Sequence, residues 1–531
     1  MAKRRSRVDF KAIYEGDKQG YNVGLDCSLF LRKEVTARVF QVPRVGTAGT
    51  STSASTPSTD ISAGTDTSFK IVVDSMTVAV TVTLVVTGLT SGALIAAALE
   101  TKINDALIAA SRDERVTVTY GTTYVITSQG SGTSSKVVVT DATSNNVADD
   151  LKIGVANLGV ETVGTNDQDF LLHTTGGASF NQPIESNAHR SGRFHSGVIK
   201  QKKVAEFDFD TYINMSGSAG SSLDTPVKLL WQQLLGTEEL PGTTIVYKQG
   251  LPNFTFSLVR VSTIFAEYYT GGYVRSGTLT ADGAAPATMK WAGKASKAVV
   301  AGISKISTPV SGVALIPLTS GEELRFEAGA PVMTLNADGR TILDGFDGSL
   351  TVLSRDETGH TITLSSVVTI PASGFVVYWH PGALGTTAKN AIFTDLVGSF
   401  KLRSAGSAVD TSNLSLEIAN DHNDLDTYFG KDANAGFVAG NRCTMKLSVT
   451  ADLSNENFGE IVKLRDFSGL DPVFLLGDPT TGRAMRISAT KWIPSVPTIE
   501  VPENGTTPVT LEGNLFESTP GAKDPVVVSF E

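Results

Sequence analysis

A strand, a loop and a helix recur in the same order at two places in this 531-residue chain, and that recurrence constrains the fold more than any single segment does. In the first copy, VAEFDFDTY from Val204, Phe207 and Phe209 alternate with Glu206, Asp208 and Asp210, the period of a strand with one buried and one wet face. A Gly/Ser loop follows. Asp224 or Thr225 can cap the next helix, Pro226 fits its first turn, and Gly236 offers a left-handed stop. Val227, Leu230, Trp231 and Leu234 fall at the spacing of one apolar stripe. In the second copy, CTMKLSVTADL puts Met445, Leu447 and Val449 on one strand face, and NENFGEIVKLRDF carries a short stripe of Phe458, Ile461 and Val462.

More strands follow each helix. After the first come TTIVYK, FTFSLVRV and YVRSGTLTAD; after the second come PVFLLG, AMRISATKW, PVTLEGNLFE and PVVVSFE, rich in the β-branched and aromatic residues that suit a pleated surface. GTLTAD and LEGNLFES take matching places. The chain reads as duplicated, with one module over 165–299 and a second over 387–531.

Composition agrees with a mainly β protein built of α+β modules. Apolar residues reach 41%, enough for cores, while charged residues are few at 18%. A net charge of −10 and a pI near 5.3 argue against a dedicated nucleic-acid binder, which would show a basic face. Cys27 and Cys443 could form one bridge at most, and two thiols in a reducing compartment is the simpler reading. MAKRRSR has no apolar stretch behind it, so it is not a secretory signal, and no run approaches the roughly 18 apolar residues of a spanning helix. No membrane association is expected.

Residues 1–45 read as an N-terminal arm whose clusters CSLFL and ARVFQV could give an edge strand to the first module or reach a neighbour. From 46 to 67 the chain is almost wholly Gly, Ser, Thr, Ala and Pro, the composition of a flexible linker at a domain boundary. Residues 68–164 form an inserted α+β domain: strands FKIVV and VAVTVTLVV, a helix over Ser91–Ser111 burying Leu94, Ile95, Leu99, Ile103, Ala106 and Leu107, then strands RVTVTY, TYVITS and KVVVTD. Thr165 to Ser196 reads as a long loop. Its tail clusters Arg190, Arg193, Lys200, Lys202 and Lys203, either a contact for an acidic surface of a neighbouring subunit or a solvated charge run. Residues 300–386 carry six short strand signals, a second insert folded as a small β sandwich or barrel.

Motifs of chemistry are missing from the sequence. There is no G-x-x-x-x-G-K-[ST] loop, no H-E-x-x-H helix and no pair of C-x-x-C arms. Asp421, Asn423, Asp424 and Asp426 superficially match a calcium loop but lack its glycine and closing Glu, so a polar turn is the reading. His173, His189 and His195 have no ligand spacing. The acidic pairs Glu322/Glu323 and Asp344/Asp347 are read as solvated turns, not as glycosidase carboxylates. Neither catalysis nor a metal or cofactor is expected.

The C-terminal block, GNRCTMKLSVTADLSNENFGEIVKLRD followed by VFLLGD, MRISATKWIPS, PVTLEGNLFES and DPVVVSFE, resembles the tail tube (major tail) proteins of long-tailed bacteriophages, and VAEFDFDTYI through WQQLLG looks like that family's earlier half. The 68–164 unit resembles the flagellin hook IN motif, a module also inserted in phage tail proteins. The resemblance implies a duplicated tube-type β-sandwich flanked by helices, with two inserted decoration domains on the outside. It implies a structural virion protein of the tail, assembled in the host cytoplasm and polymerised as stacked rings that conduct DNA to the host. Its partners would be copies of itself, the tape measure protein and tail terminator or tip proteins, with DNA passing unbound. Two modules per chain favour trimeric rings of pseudo-sixfold symmetry over hexameric ones. Glu206, Asp208 and Asp210 would then face the channel as an acidic lining, with the neutral or basic Lys446, Ser448 and Thr450 at matching places. A bacterial surface or flagellar-type structural protein is the main alternative, and a carbohydrate-active enzyme a lesser one.

Overall fold

The computed structural model describes, with short interruptions, residues 10–15, 28–43, 48–164, 169–171, 175–200, 204–215, 223–380, 391–392, 398–424, 437–438, 443–464, 469–479, 483–497 and 507–531. The protein is mainly β, and its strands pair antiparallel in every named ladder.

The first repeat is built from β1 (Ser28–Lys33), β2 (Thr175–Asn181), β3 (Val204–Tyr212), helix α1 (Thr225–Leu235), β4 (Gly236–Glu239), β5 (Ile245–Gln249), β6 (Phe256–Val261), β7 (Ala266–Asp282), β8 (Thr288–Ala295) and β9 (Lys297–Ala301). The second comprises β10 (Ser399–Lys401), β11 (Thr411–Asn420), β12 (Cys443–Asp452), helix α2 (Asn455–Lys463), β13 (Val473–Asp478), β14 (Arg483–Ala489), β15 (Lys491–Pro494), β16 (Pro508–Phe516) and β17 (Val526–Phe530).

Laid out by hydrogen bonding, the two lists superimpose. One sheet runs β2-β3-β8-β7-β11-β12-β16-β15, which is one four-strand order written twice in tandem. The other layer repeats as well: β1-β6-β7-β9 in the first repeat and β10-β13-β14-β17 in the second. Strand β7 serves both layers, pairing β9 through Ala266–Thr270 and β8 from Tyr273 onward; its counterpart is split at Thr490 into β14 and β15. The repeats are joined in the first sheet by β7 against β11, from Ser276↔Ala419 to Asp282↔Asn413, and in the second by β5 against β17.

One core runs through both repeats. Phe207 and Phe209 stack at 5.7 Å, and Phe207 meets Phe256. Trp231 of α1 sits edge-on to Trp291 at 5.3 Å and also packs on Tyr247 and Phe530, so residues of both repeats close over one indole. Helix α1 begins after Asp224, whose side chain makes no capping bond, has Pro226 in its first turn and ends at Gly236 with φ 90°. The chain end is fixed too: Arg486 Nε and Nη2 donate to the two Glu531 carboxylate oxygens at 2.8 and 3.1 Å.

Four sequence expectations change. The CSLFL cluster supplies β1, paired to β6 within the chain, which settles the choice left open for the arm. The stretch expected as a linker joins the first insert instead. Thr50–Thr52 pairs with Tyr124–Ser128 and Val160–Thr162, and Ile61 is buried in the insert's core, so backbone pairing supplies the order that small side chains cannot. The segment 165–196 holds β2 and a hairpin continuing beyond it, Ile184–Ser186 on Val198–Lys200 and Arg190–Ser191 on Phe194–His195. On α2 the expected stripe is buried only at Ile461; Phe458 and Val462 stay 48% and 39% exposed, because the β4–β5 hairpin that covers α1 has no counterpart beside α2 among the described residues.

The first insert has a core made only of its own residues, between Ile61 and Ile153, around a helix at Gly92–Ala109. Ser91 caps that helix by accepting the Leu94 N–H, and Ile95, Leu99, Ile103 and Leu107 are buried while Leu94 is half exposed. The second insert holds two small sheets, one of Ile303–Lys305, Val332–Leu335, Ile342–Asp344 and Phe375–Tyr378, the other of Val310–Pro317, Val352–Asp356 and Thr361–Ile370. Its core is shared with the first repeat through Phe30, Val259 and Tyr268. Tyr268 donates to the Trp379 carbonyl at 3.0 Å and Tyr378 to that of Ser262 at 2.9 Å.

Candidate functional site: the open face of the shared sheet

The tandem sheet buries one face against α1 and the second layer and leaves the other to solvent. Alternation along β3 puts Ala205, Phe207 and Phe209 inside and Glu206, Asp208 and Asp210 outside, as the sequence pattern requires. The same alternation turns Lys290 and Lys294 of β8, Glu417 of β11, Lys446 of β12 and Glu512 of β16 to this side, Lys294 being only 19% exposed.

Register turns these positions into rows. One row crosses six strands as Asp210, Lys290, Thr278, Glu417, Lys446 and Asn514, acid, base and neutral in each half. Ion pairs run between neighbouring strands: Lys294 Nζ lies 3.7 Å from Glu206, Lys290 Nζ 3.7 Å from Asp208, and Lys446 pairs with Glu512. Glu512, with help from Glu417, holds the Lys446 ammonium above its ordinary pKa. The Lys290 and Lys446 pairs are largely exposed and add little to stability.

The three carboxylates named from the sequence are therefore not alone on their face. Glu206, Asp208 and Asp210 do share one outward face, but Lys290 and Lys294 stand among them. Those lysines were legible in MKWAGKA, where Lys290 and Lys294 alternate with Met289, Trp291 and Gly293, yet only strand register shows which carboxylates they meet.

The backbone places Arg190 and Lys200 on the hairpin beyond β2 and β3; their side chains, with Arg193, Lys202 and Lys203, lie outside the described residues, as do His173, His189, Asp426 and Cys27. Asn423 and Asp424 pair with Phe437 and Val438 beyond β11 and β12, a matching hairpin in the second repeat.

The acidic pairs of the second insert divide. Asp344 and Asp347 accept backbone N–H groups of turns, from Gly345 and Ser349. Glu322 and Glu323 are buried, against the expectation of solvated turns: Glu322 accepts from Tyr14 at 2.8 Å and Ser304 at 2.6 Å, and Glu323 lies 3.3 Å from His360. Glu322 thereby ties the N-terminal segment to the insert.

Burial raises the Cys443 thiol to about 11. Among the described residues no cluster of three or more His, Cys, Asp or Glu is placed to hold a metal, and no helix is long and apolar enough to cross a membrane. A narrow crevice between the layers of the second repeat is lined by apolar side chains including Phe400, Leu447, Phe474 and Leu515. No protein-family model matches the chain, and no curated protein matches it.

Proposed function

We propose that this chain is a structural virion protein, the tail tube protein of a long-tailed bacteriophage, which polymerises as stacked rings into the channel for DNA delivery. The observation that carries the reading is the tandem sheet. Two copies of one four-strand order lie side by side, and the terminal strands β2 and β15 each pair with one strand of that sheet among the described residues, with a single further bridge, Leu470 to Trp492, beyond β15. A sheet that grows by adding identical units edge to edge either continues without limit or closes, and closure removes the edges that invite aggregation. The β7–β11 junction is the pattern for such an addition. With two repeats per chain, three chains supply six repeats, so the ring is a trimer with pseudo-sixfold walls.

In this reading the open face lines the channel, because the opposite face is filled by α1 and the second layer. The inserts lie away from the channel, one preceding β2 and one between the repeats. Negative-stain microscopy of the purified chain tests the assembly. Rings or filaments with an axial hole support it, and a chain that stays monomeric at high concentration contradicts it.

A further inference from the structure

We propose that the carboxylates of the open face act as masks for its lysines, so that a polyphosphate passes the wall without being held; this deepens the channel reading and rests on it. A channel for DNA needs no lysines, and a lysine facing phosphate would hold it through counterion release. Yet three stand in the interior rows of this face. Each is met by a carboxylate from a neighbouring strand: Lys294 by Glu206, Lys290 by Asp208 with Asp210 opposite it in register, and Lys446 by Glu512 with Glu417 opposite.

The lysines have a reason to be there. Glu206, Asp208 and Asp210 stand on one face of one strand, and like charges close together on a sheet repel. Interleaved ammonium groups relieve that repulsion inside the sheet, and these five carboxylates outnumber the three lysines they surround, which keeps this part of the face net negative. A phosphate reaching any of these lysines has to displace a carboxylate already within ion-pair distance.

The test is binding of a short DNA duplex to the full-length, unassembled chain, read by fluorescence anisotropy over a salt series. The native chain is expected to show no binding at low salt. The variant Glu206→Gln, Asp208→Asn, Asp210→Asn, Glu417→Gln, Glu512→Gln is expected to bind, with log K falling against log salt at a slope near −3, about 0.9 for each unmasked lysine. Adding Lys290→Met, Lys294→Met and Lys446→Met to it should abolish binding. A five-fold variant that melts like the native chain yet ignores DNA overturns the proposal, as does a native chain that already binds with that slope. Should the five-fold variant fail to fold, Glu417→Gln with Glu512→Gln frees Lys446 and is expected to bind with a slope near −1, about 0.9 for the one lysine; its silence overturns the proposal equally. Microscopy of the native chain tests the channel reading separately, so masked lysines on a chain that builds no tube would sink that reading alone.

Discussion

Gly293 and Gly513 occupy the same place in the two repeats. Gly293 pairs with Phe207 on β3 and Gly513 with Leu447 on β12; a Cβ on the first would strike the Tyr273 carbonyl oxygen, and on the second the Ile493 carbonyl oxygen, both far inside contact distance. Strand order alone could arise twice by chance. A glycine required at the same crossing of the same strands is a stronger sign that one unit was copied.

Substituting either glycine by alanine is therefore expected to destabilise the chain, because the obstacle is backbone and cannot swing away. Overpacking of this kind costs about 1–3 kcal/mol. Gly293→Ala should fall at the upper end, since the Phe207 ring also stands in the way. Denaturant melts of both variants check this; unchanged midpoints would show that the sheets open more easily than the packing implies.

Trp231 and Phe530 are expected to be coupled. Trp231→Ala should cost about 3–5 kcal/mol as a buried aromatic truncation, and Phe530→Ala a similar amount. Because the two rings lie 6.0 Å apart across the junction of the repeats, the double variant should lose less than the two single losses combined. Strict additivity in a double-mutant cycle would mean that the repeats are not held together at this point.

The inserts should behave differently on deletion. Removing 48–164 takes out a core made of its own residues, so the remainder should fold and assemble. Removing 303–380 uncovers Phe30, Val259 and Tyr268 and leaves the Tyr268 hydroxyl without its acceptor, so that truncation should be insoluble or markedly less stable. Circular dichroism and sedimentation of the two truncations check the contrast.

His380 sets an acid limit on the second insert. Burial among Phe10 and Tyr378 lowers its pKa from 6.5 to about 4, so between those values the unfolded chain takes up a proton that the folded chain refuses. The contribution is fully present above pH 6.5, drains as the pH falls and is gone by about pH 4, a loss of about 3 kcal/mol. His380→Phe should flatten the fall in stability across that window. An equally steep fall in the variant would assign the acid sensitivity to other groups.

Local chemistry made some of this structure legible in advance. The alternation of VAEFDFDTY and the proline and glycine bounding α1 depend on neighbours in sequence, and each was readable there. What the sequence hid was pairing at a distance. Nothing local tells Ser28–Lys33 to join β6, or lets a Gly/Ser/Thr stretch around Thr50 complete a sheet. The open face shows the same division: Glu206, Asp208 and Asp210 could be named from one strand, but their company with Lys290 and Lys294 is a property of register between strands 80 and more residues apart. Phe458 and Val462 mark the remaining limit, since helical spacing shows an apolar stripe but not whether a hairpin arrives to cover it.

The most direct measurement is a side-chain-resolution reconstruction of the assembled protein by electron cryomicroscopy, without imposed sixfold averaging. A closed wall is expected in which α1-type and α2-type repeats alternate three times around the axis, with Trp231 density at every second position and the Glu206, Lys290 and Lys446 face turned to the lumen. Six identical copies of the chain in each ring, or a wall with that charged face turned outward, would contradict it.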